Sequence, residues 1–123
     1  MNDLKYPVGY LEKSDFSDSG KLVGPLGKKP VLIMIQAGYC GACKTAKPEF
    51  QKLANEGAVE CMTIQLDGER QGEKDLSVIL DNIYPNLQTV PNYVLYVDGG
   101  NRKIPYDGDR SFSSLKNFVK QHV

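Results

Sequence analysis

The chain predicts an α/β fold in which helices cover a mixed β-sheet. Three observations carry this. Apolar, β-branched runs such as Val31–Ala37 alternate with segments whose apolar residues recur at helical spacing. Glycine- and proline-bearing breaks separate them. Near the end, Asp98-Gly99-Gly100 joins two short strand-like runs, and an amphipathic helix follows. At 123 residues the chain has the length of one domain and can bury a core without a staple. The expectation is one domain over 1–123, with loose ends at 1–8 and 122–123.

Gly9–Glu12 reads as a short first strand and Lys13–Ser17 as a turn of helix. Lys21–Pro30 is rich in Gly, Pro and Lys and reads as a loop. The continuous apolar run Val31–Ala37 is expected of a strand buried on both faces. Beyond it, Cys43, Ala46, Phe50, Leu53 and Ala54 form a helical stripe that Gly57 is placed to end. Lys44, Lys47, Glu49, Gln51 and Lys52 read mostly as the opposite, solvated side. Pro48 sits inside this helix, where it removes a backbone hydrogen bond. Val59–Leu66 is the next strand. Leu76, Ile79, Leu80, Ile83 and Tyr84 predict a second long helix over about Glu73–Tyr84. Asn92–Val97 and Arg102–Tyr106 form a hairpin, and Ser111 caps a last helix with Phe112, Leu115, Phe118 and Val119 inside.

Lys+Arg and Asp+Glu both number 15, so no excess of positive charge points to nucleic acid or an anionic membrane. The longest apolar run, Val31–Ile35, is too short to span a bilayer. No signal peptide follows Met1, so the chain as given reads as cytoplasmic, or as a form from an oxidising compartment whose targeting segment was removed. Three cysteines are too few, and odd in number, for a disulfide-rich secreted scaffold.

The chemistry concentrates in Tyr39-Cys40-Gly41-Ala42-Cys43-Lys44, between the buried strand and the helix. The first N–H groups of a helix lack internal partners, and its dipole adds positive charge there. Both favour a thiolate. An ordinary cysteine, with a pKa of ~8.5, is only about 3% thiolate at pH 7. Cys40, at the tip, is the candidate nucleophile. Cys43, one turn on, faces the core stripe and is placed to resolve a mixed disulfide. Far downstream, Val90-Pro91 precedes a strand, where proline is tolerated only at a start or edge.

Together these features resemble the thioredoxin family from about Tyr10 to Gln121. The resemblance rests on the cysteine motif at the strand–helix junction, Pro48 within the helix, Val90-Pro91, and the terminal hairpin with its Gly-Gly turn. It implies a thioredoxin fold and thiol–disulfide exchange with protein disulfides through Cys40 and Cys43. It also implies a cis Val90–Pro91 bond, and a substrate groove formed by Tyr39, Gly41, Ala42, Val90 and Pro91. The implied partners are disulfide-bearing proteins and a thiol/disulfide recycling system. The chain would act as a monomer with no bound cofactor or metal, its electrons carried by the cysteine pair. Leu11–Phe16 and Tyr106–Phe112 are similar to parts of the catalytic domains of protein disulfide isomerases. That similarity places Arg110 where it would assist Cys43; otherwise Arg110 reads as a solvated surface residue.

The chain also departs from the family's pattern. Tyr39 stands in place of the usual tryptophan, and Ala42 in place of the family's histidine or proline. Met34 takes the position of a buried carboxylate that relays the resolving cysteine's proton. Three other readings compete with this one. A Cys₃His zinc site would need Cys61, mid-strand, and His122, at the chain's end, to converge on the pair. A structural Cys40–Cys43 disulfide closes too small a loop to stabilise much. A redox-vestigial peptide-binding module would keep the groove and lose the chemistry. Cys61 reads as a small core hydrophobe and Asp67 as a loop residue.

Overall fold

The structure, a computed structural model, describes residues 3–123. Five strands form one sheet in the order β1-β3-β2-β4-β5. They are β1 (Gly9–Tyr10), β2 (Val31–Gln36), β3 (Glu60–Gln65), β4 (Asn92–Val97) and β5 (Arg102–Tyr106). β1, β3 and β2 run parallel, while β4 and β5 are antiparallel additions on the other side. The two long helices are α1 (Gly41–Glu56) and α4 (Phe112–His122). This is the helix-covered mixed sheet that the alternation of patterns predicts.

β2 is buried along its whole length, and its side chains divide by parity between two cores. Leu32 and Met34 join Phe50 and Leu53 of α1, Tyr93 and Leu95 of β4, and Leu115 and Phe118 of α4. Val31, Ile33 and Ile35 pack on the opposite face with Leu11, Phe16, Ile64, Leu76, Ile79 and Ile83. Each such fully buried aliphatic or aromatic side chain stabilises the fold by about 1.5–3 kcal/mol. A sheet covered on both faces therefore explains why β2 is apolar at every position but its last.

Gly57, at φ 79°, ends α1 in the left-handed conformation that glycine adopts without strain. α4 starts on Ser111, whose Oγ accepts the Ser114 N–H. Glu49 of α1 reaches across to accept the Phe112 N–H at 2.8 Å. One charged side chain thus ties the start of α4 to α1.

Three expectations need correction. The helix expected over Glu73–Tyr84 is broken into α2 (Gln71–Asp75), a 3₁₀ turn (Leu76–Val78) and α3 (Leu80–Ile83). Ile79, at φ −115° and ψ 6°, leaves the helical conformation. Ser77, Val78 and Ile79 are weak helix formers, and the break lets Leu76, Ile79 and Ile83 all reach the core. The first strand stops at Tyr10; Glu12 instead receives Arg70 at 2.7 Å. The expected loose end at 1–8 is anchored within its described part. Leu4 and Val8 are buried, and Gln51 holds the Lys5 backbone N–H. At the other end His122 lies within α4, its ring edge-on to Phe118. Among the described residues no helix is long and apolar enough to cross a membrane.

Candidate functional site

The site forms where β2 ends and α1 begins. Asp67, just past β3, accepts the Gly38 N–H at 2.9 Å and the Gln65 amide at 3.1 Å. The loop that presents Tyr39 and Cys40 is therefore pinned to the neighbouring strand. The Gly38 hydrogen bond is the main reason the Asp67 carboxyl lies below the usual carboxylate range. This supports the reading of Asp67 as a structural loop residue.

Cys40 is the N-cap of α1, and its Sγ accepts the Cys43 N–H at 3.0 Å. It is half-buried, whereas Cys43 is completely enclosed. The two form a disulfide with their Cα atoms 5.2 Å apart. In the reduced state that N–H and the helix terminus favour a Cys40 thiolate. The site's asymmetry follows directly. An external sulfur can approach Cys40; Cys43 is reached only through Cys40.

Val90–Pro91, far away in sequence, arrives beside the pair. The bond is cis, Pro91 is buried, and the Val90 carbonyl oxygen lies 3.5 Å from Cys40 Sγ. Tyr39 is 74% exposed and, with Leu66, Leu87 and Val90, lines a shallow depression of about 110 Å³. Gly41 and Ala42 are exposed at the tip of α1. On the other flank, Ala42, Thr45, Ala46, Glu49, Asp109 and Arg110 line a groove of about 400 Å³. Arg110 is exposed there, in the loop before α4. Its charge is felt by the buried Tyr93 phenol, whose pKa is nevertheless raised, chiefly by burial.

Residues 10–121 match the family model described as Thioredoxin. The chain belongs to the thioredoxin family. Its similarity to the thioredoxin-like protein 453L of Invertebrate iridescent virus 6 is 43% identity over 138 aligned residues, covering 97% of this chain and 99% of that protein. Protein disulfide-isomerase of Saccharomyces cerevisiae is 31% identical over 96 residues, which are 77% of this chain but 17% of the isomerase. Two solved structures show the same fold. They are thioredoxin f2 of Chlamydomonas reinhardtii (TM-score 0.67, 21% identity, 94% and 95% of the two chains) and thioredoxin f of spinach chloroplast (0.63, 21%, 98% and 97%). The chain is thus a thioredoxin-family oxidoreductase with a Cys-x-x-Cys pair and relatives among the disulfide isomerases.

Within this thioredoxin fold, Cys61 and His122 do not join the pair. Cys61 is buried in β3, and burial pushes its thiol up to about 12. Among the described residues no His, Cys, Asp and Glu group is placed to hold a metal ion.

Sequence reasoning missed a buried polar pair in the sheet. Gln36 and Thr63 are fully buried on the sheet face that α1 covers, with Gln36 donating to Thr63 at 3.3 Å and Thr63 donating to the Met34 carbonyl at 2.7 Å. The Gln36 Oε1 has no partner among the described residues. Lys47, expected on the solvated side of the helix, is only 6% exposed. Its position four residues after Cys43 is the signal that would have placed it inward. Met34 itself is fully buried in the apolar core on the same face, two residues before Gln36 and paired in register with Thr63.

Proposed function

We propose that this chain exchanges electrons with protein disulfides through the Cys40–Cys43 pair. The observation that carries it is the asymmetry of the two sulfurs: Cys40 stands accessible at a helix N-terminus beside the Val90 carbonyl, and Cys43 is enclosed behind it. In the reducing direction the Cys40 thiolate attacks a substrate disulfide and one substrate thiolate leaves. Cys43, once deprotonated, attacks Cys40 Sγ. The Cys40–Cys43 bond forms and the second substrate thiolate departs. Run backwards, the same steps oxidise a dithiol, so one site serves reductase, oxidase and isomerase chemistry.

The exposed edges of Val90 and Tyr39 offer an extended substrate segment a backbone acceptor and an apolar flank. Arg110, across the Ala42 groove, adds positive charge near the resolving side. No bound cofactor is called for, and the chain acts as a monomer. Its partners are disulfide-bearing proteins and the thiol/disulfide system that resets the pair. The isomerase relatives support such substrates, and Leu11–Phe16 supports that branch.

The test is trapping. Cys43→Ser should accumulate a mixed disulfide with a substrate protein such as insulin, and Cys40→Ser should accumulate none and reduce nothing. Wild-type protein that leaves insulin intact while both it and Cys40→Ser bind unfolded peptides would instead favour the redox-vestigial binding module. The potential of the pair against a glutathione buffer gives the direction. A value near about −270 mV implies a reductase, and one near about −180 mV implies oxidative folding.

A further inference from the structure

A basic surface lies beside the redox pair. A depression of about 230 Å³ opens on one flank of α1. Three lysines stand around it: Lys5 from the segment before β1, and Lys44 and Lys47 from α1 itself. Leu4 and Pro48 line it between them, and Asp3 is the one carboxylate on its rim. Lys5 and Lys44 are exposed. Lys47 packs its stem and carries its ammonium to the depression, as lysines at a surface commonly do. Lys5 is held in place by its backbone. Leu4 is buried, and Gln51 of α1 accepts the Lys5 N–H at 2.8 Å and donates to the Lys5 carbonyl at 2.9 Å. The three ammonium groups are also free. Lys13, Lys29, Lys52 and Lys116 pair with carboxylates, and Lys21 and Lys103 donate to carbonyl oxygens. Lys5, Lys44 and Lys47 make no side-chain hydrogen bond or ion pair among the described residues. In a chain of zero net charge, this is a local surplus of positive charge.

The surplus lies within reach of whatever docks on Cys40. The Lys44 N–H donates to the Cys40 carbonyl, one turn back along α1. At 1.5 Å per residue, Lys44 and Lys47 stand about 6 and 10 Å along the axis from Cys40. A protein partner covers about 800 Å² of each surface, a disc of about 16 Å radius. One that brings a disulfide to Cys40 therefore extends over both lysines. The charge of Lys47 also helps lower the Asp67 carboxyl, which holds the loop that presents Cys40.

We infer that this surface receives an acidic segment of the protein whose disulfide or dithiol meets Cys40. The inference rests on the exchange proposed above and adds a class of partner: one that carries Asp or Glu beside its cysteines. The opposite flank of α1 is different, with Glu49 and Asp109 set around Arg110. An acidic segment is therefore drawn to the lysine side alone, which fixes the partner's orientation. The attraction acts on encounter: it raises the association rate, and salt screens it. Nucleic acid fits less well. Three lysines beside a carboxylate, in a chain with as many acidic as basic residues, form no continuous basic stripe.

The probes are two cyclic peptides alike but for charge, each closed by one disulfide and carrying either glutamates or lysines beside it. At low salt the reduced protein should react with the Glu peptide about tenfold faster than with the Lys peptide. The ratio should approach one near 1 M salt, where the Debye length falls to about 3 Å. Combining Lys5→Gln, Lys44→Gln and Lys47→Gln should bring the low-salt ratio to about one. Lys5→Gln with Lys44→Gln, both on exposed side chains, should lower it about fourfold and keeps the test open if Lys47→Gln disturbs packing. A ratio near one in the native protein overturns the inference, and so does a preference that these variants keep. Binding is read separately in the Cys40→Ser protein, with linear peptides that carry serine for cysteine. The Glu form should shift the amide NMR signals of Lys5, Lys44 and Lys47. No shift there, or tighter binding of a single-stranded oligonucleotide at the same signals, overturns the assignment. Wild-type protein that leaves hydroxyethyl disulfide intact would strike the exchange reading and leave this binding result standing.

Discussion

Gln36→Met should stabilise the protein. Gln36 is fully buried at the end of β2. Its Nε2 makes one long hydrogen bond, 3.3 Å, to Thr63 Oγ1, and its Oε1 has no partner among the described residues. An incompletely paired amide costs about 1–3 kcal/mol to bury, and one weak hydrogen bond returns only about 0.5–1 kcal/mol. Methionine nearly matches glutamine in length and shape, so the site needs little repacking. Thr63 keeps its donation to the Met34 carbonyl at 2.7 Å. The balance is a gain of about 1–2 kcal/mol, or a rise in melting temperature of about 3–8 °C. Urea unfolding of the oxidised protein reads it as a higher midpoint at unchanged slope. A loss of more than about 1 kcal/mol would refute the reasoning, because it means that Oε1 has a donor in solution.

Cys61, 2% exposed with its thiol pushed up to about 12, should resist alkylation in the folded protein. Mass spectrometry of the reduced protein at pH 8 should find Cys61 unmodified in buffer and modified in denaturant; rapid native labelling of Cys61 would contradict its place in the core. Asp67 holds its carboxyl below the ordinary range through the Gly38 N–H, so its contribution is present above the unfolded-state pKa of ~3.9 and is lost as pH falls through the lower folded value. Being exposed, it contributes under about 1 kcal/mol, and Asp67→Asn should flatten that part of the acid-unfolding curve; an unchanged curve would count against the hydrogen bond. Met34→Glu should speed release of a trapped mixed disulfide by supplying a proton acceptor beneath Cys43; unchanged single-turnover kinetics would remove Met34 as a cause of slow resolution.

The elements were legible where pattern and packing agree. Val31–Ala37 could only be a strand buried on both faces, and α1 announced itself through its stripe and Gly57. The helix over Glu73–Tyr84 failed because the stripe marks which residues are buried, not whether one continuous helix buries them. Leu76, Ile79 and Ile83 reach the core through three short turns instead. Cys40, Cys43 and Pro91 were readable because their spacing and their neighbours carry chemistry. Lys47 was not, because lysine is so rarely buried that in sequence it reads as part of the solvated side. Gln36 closes an apolar strand, and its polarity there carried no message until Thr63 and α1 were seen around it. Leu66 and Leu87 look like any other surface or strand leucine in sequence; only the fold brings them beside Tyr39.

The two halves of the site rest on different physics. Cys40 is set by backbone: the Cys43 N–H, the Val90 carbonyl, and a loop held through the Gly38 N–H. Backbone groups survive most side-chain changes, which is why Tyr39 and Ala42 can differ from the family's pattern while the nucleophile keeps its environment. Cys43 is fully enclosed, where low dielectric makes each nearby charge or unpaired dipole count. Substitutions at Tyr39, Leu66 or Leu87 should therefore move substrate affinity. An acid introduced at Met34 should move the rate of resolution and, because it alters the stability of the reduced thiolate, the potential as well.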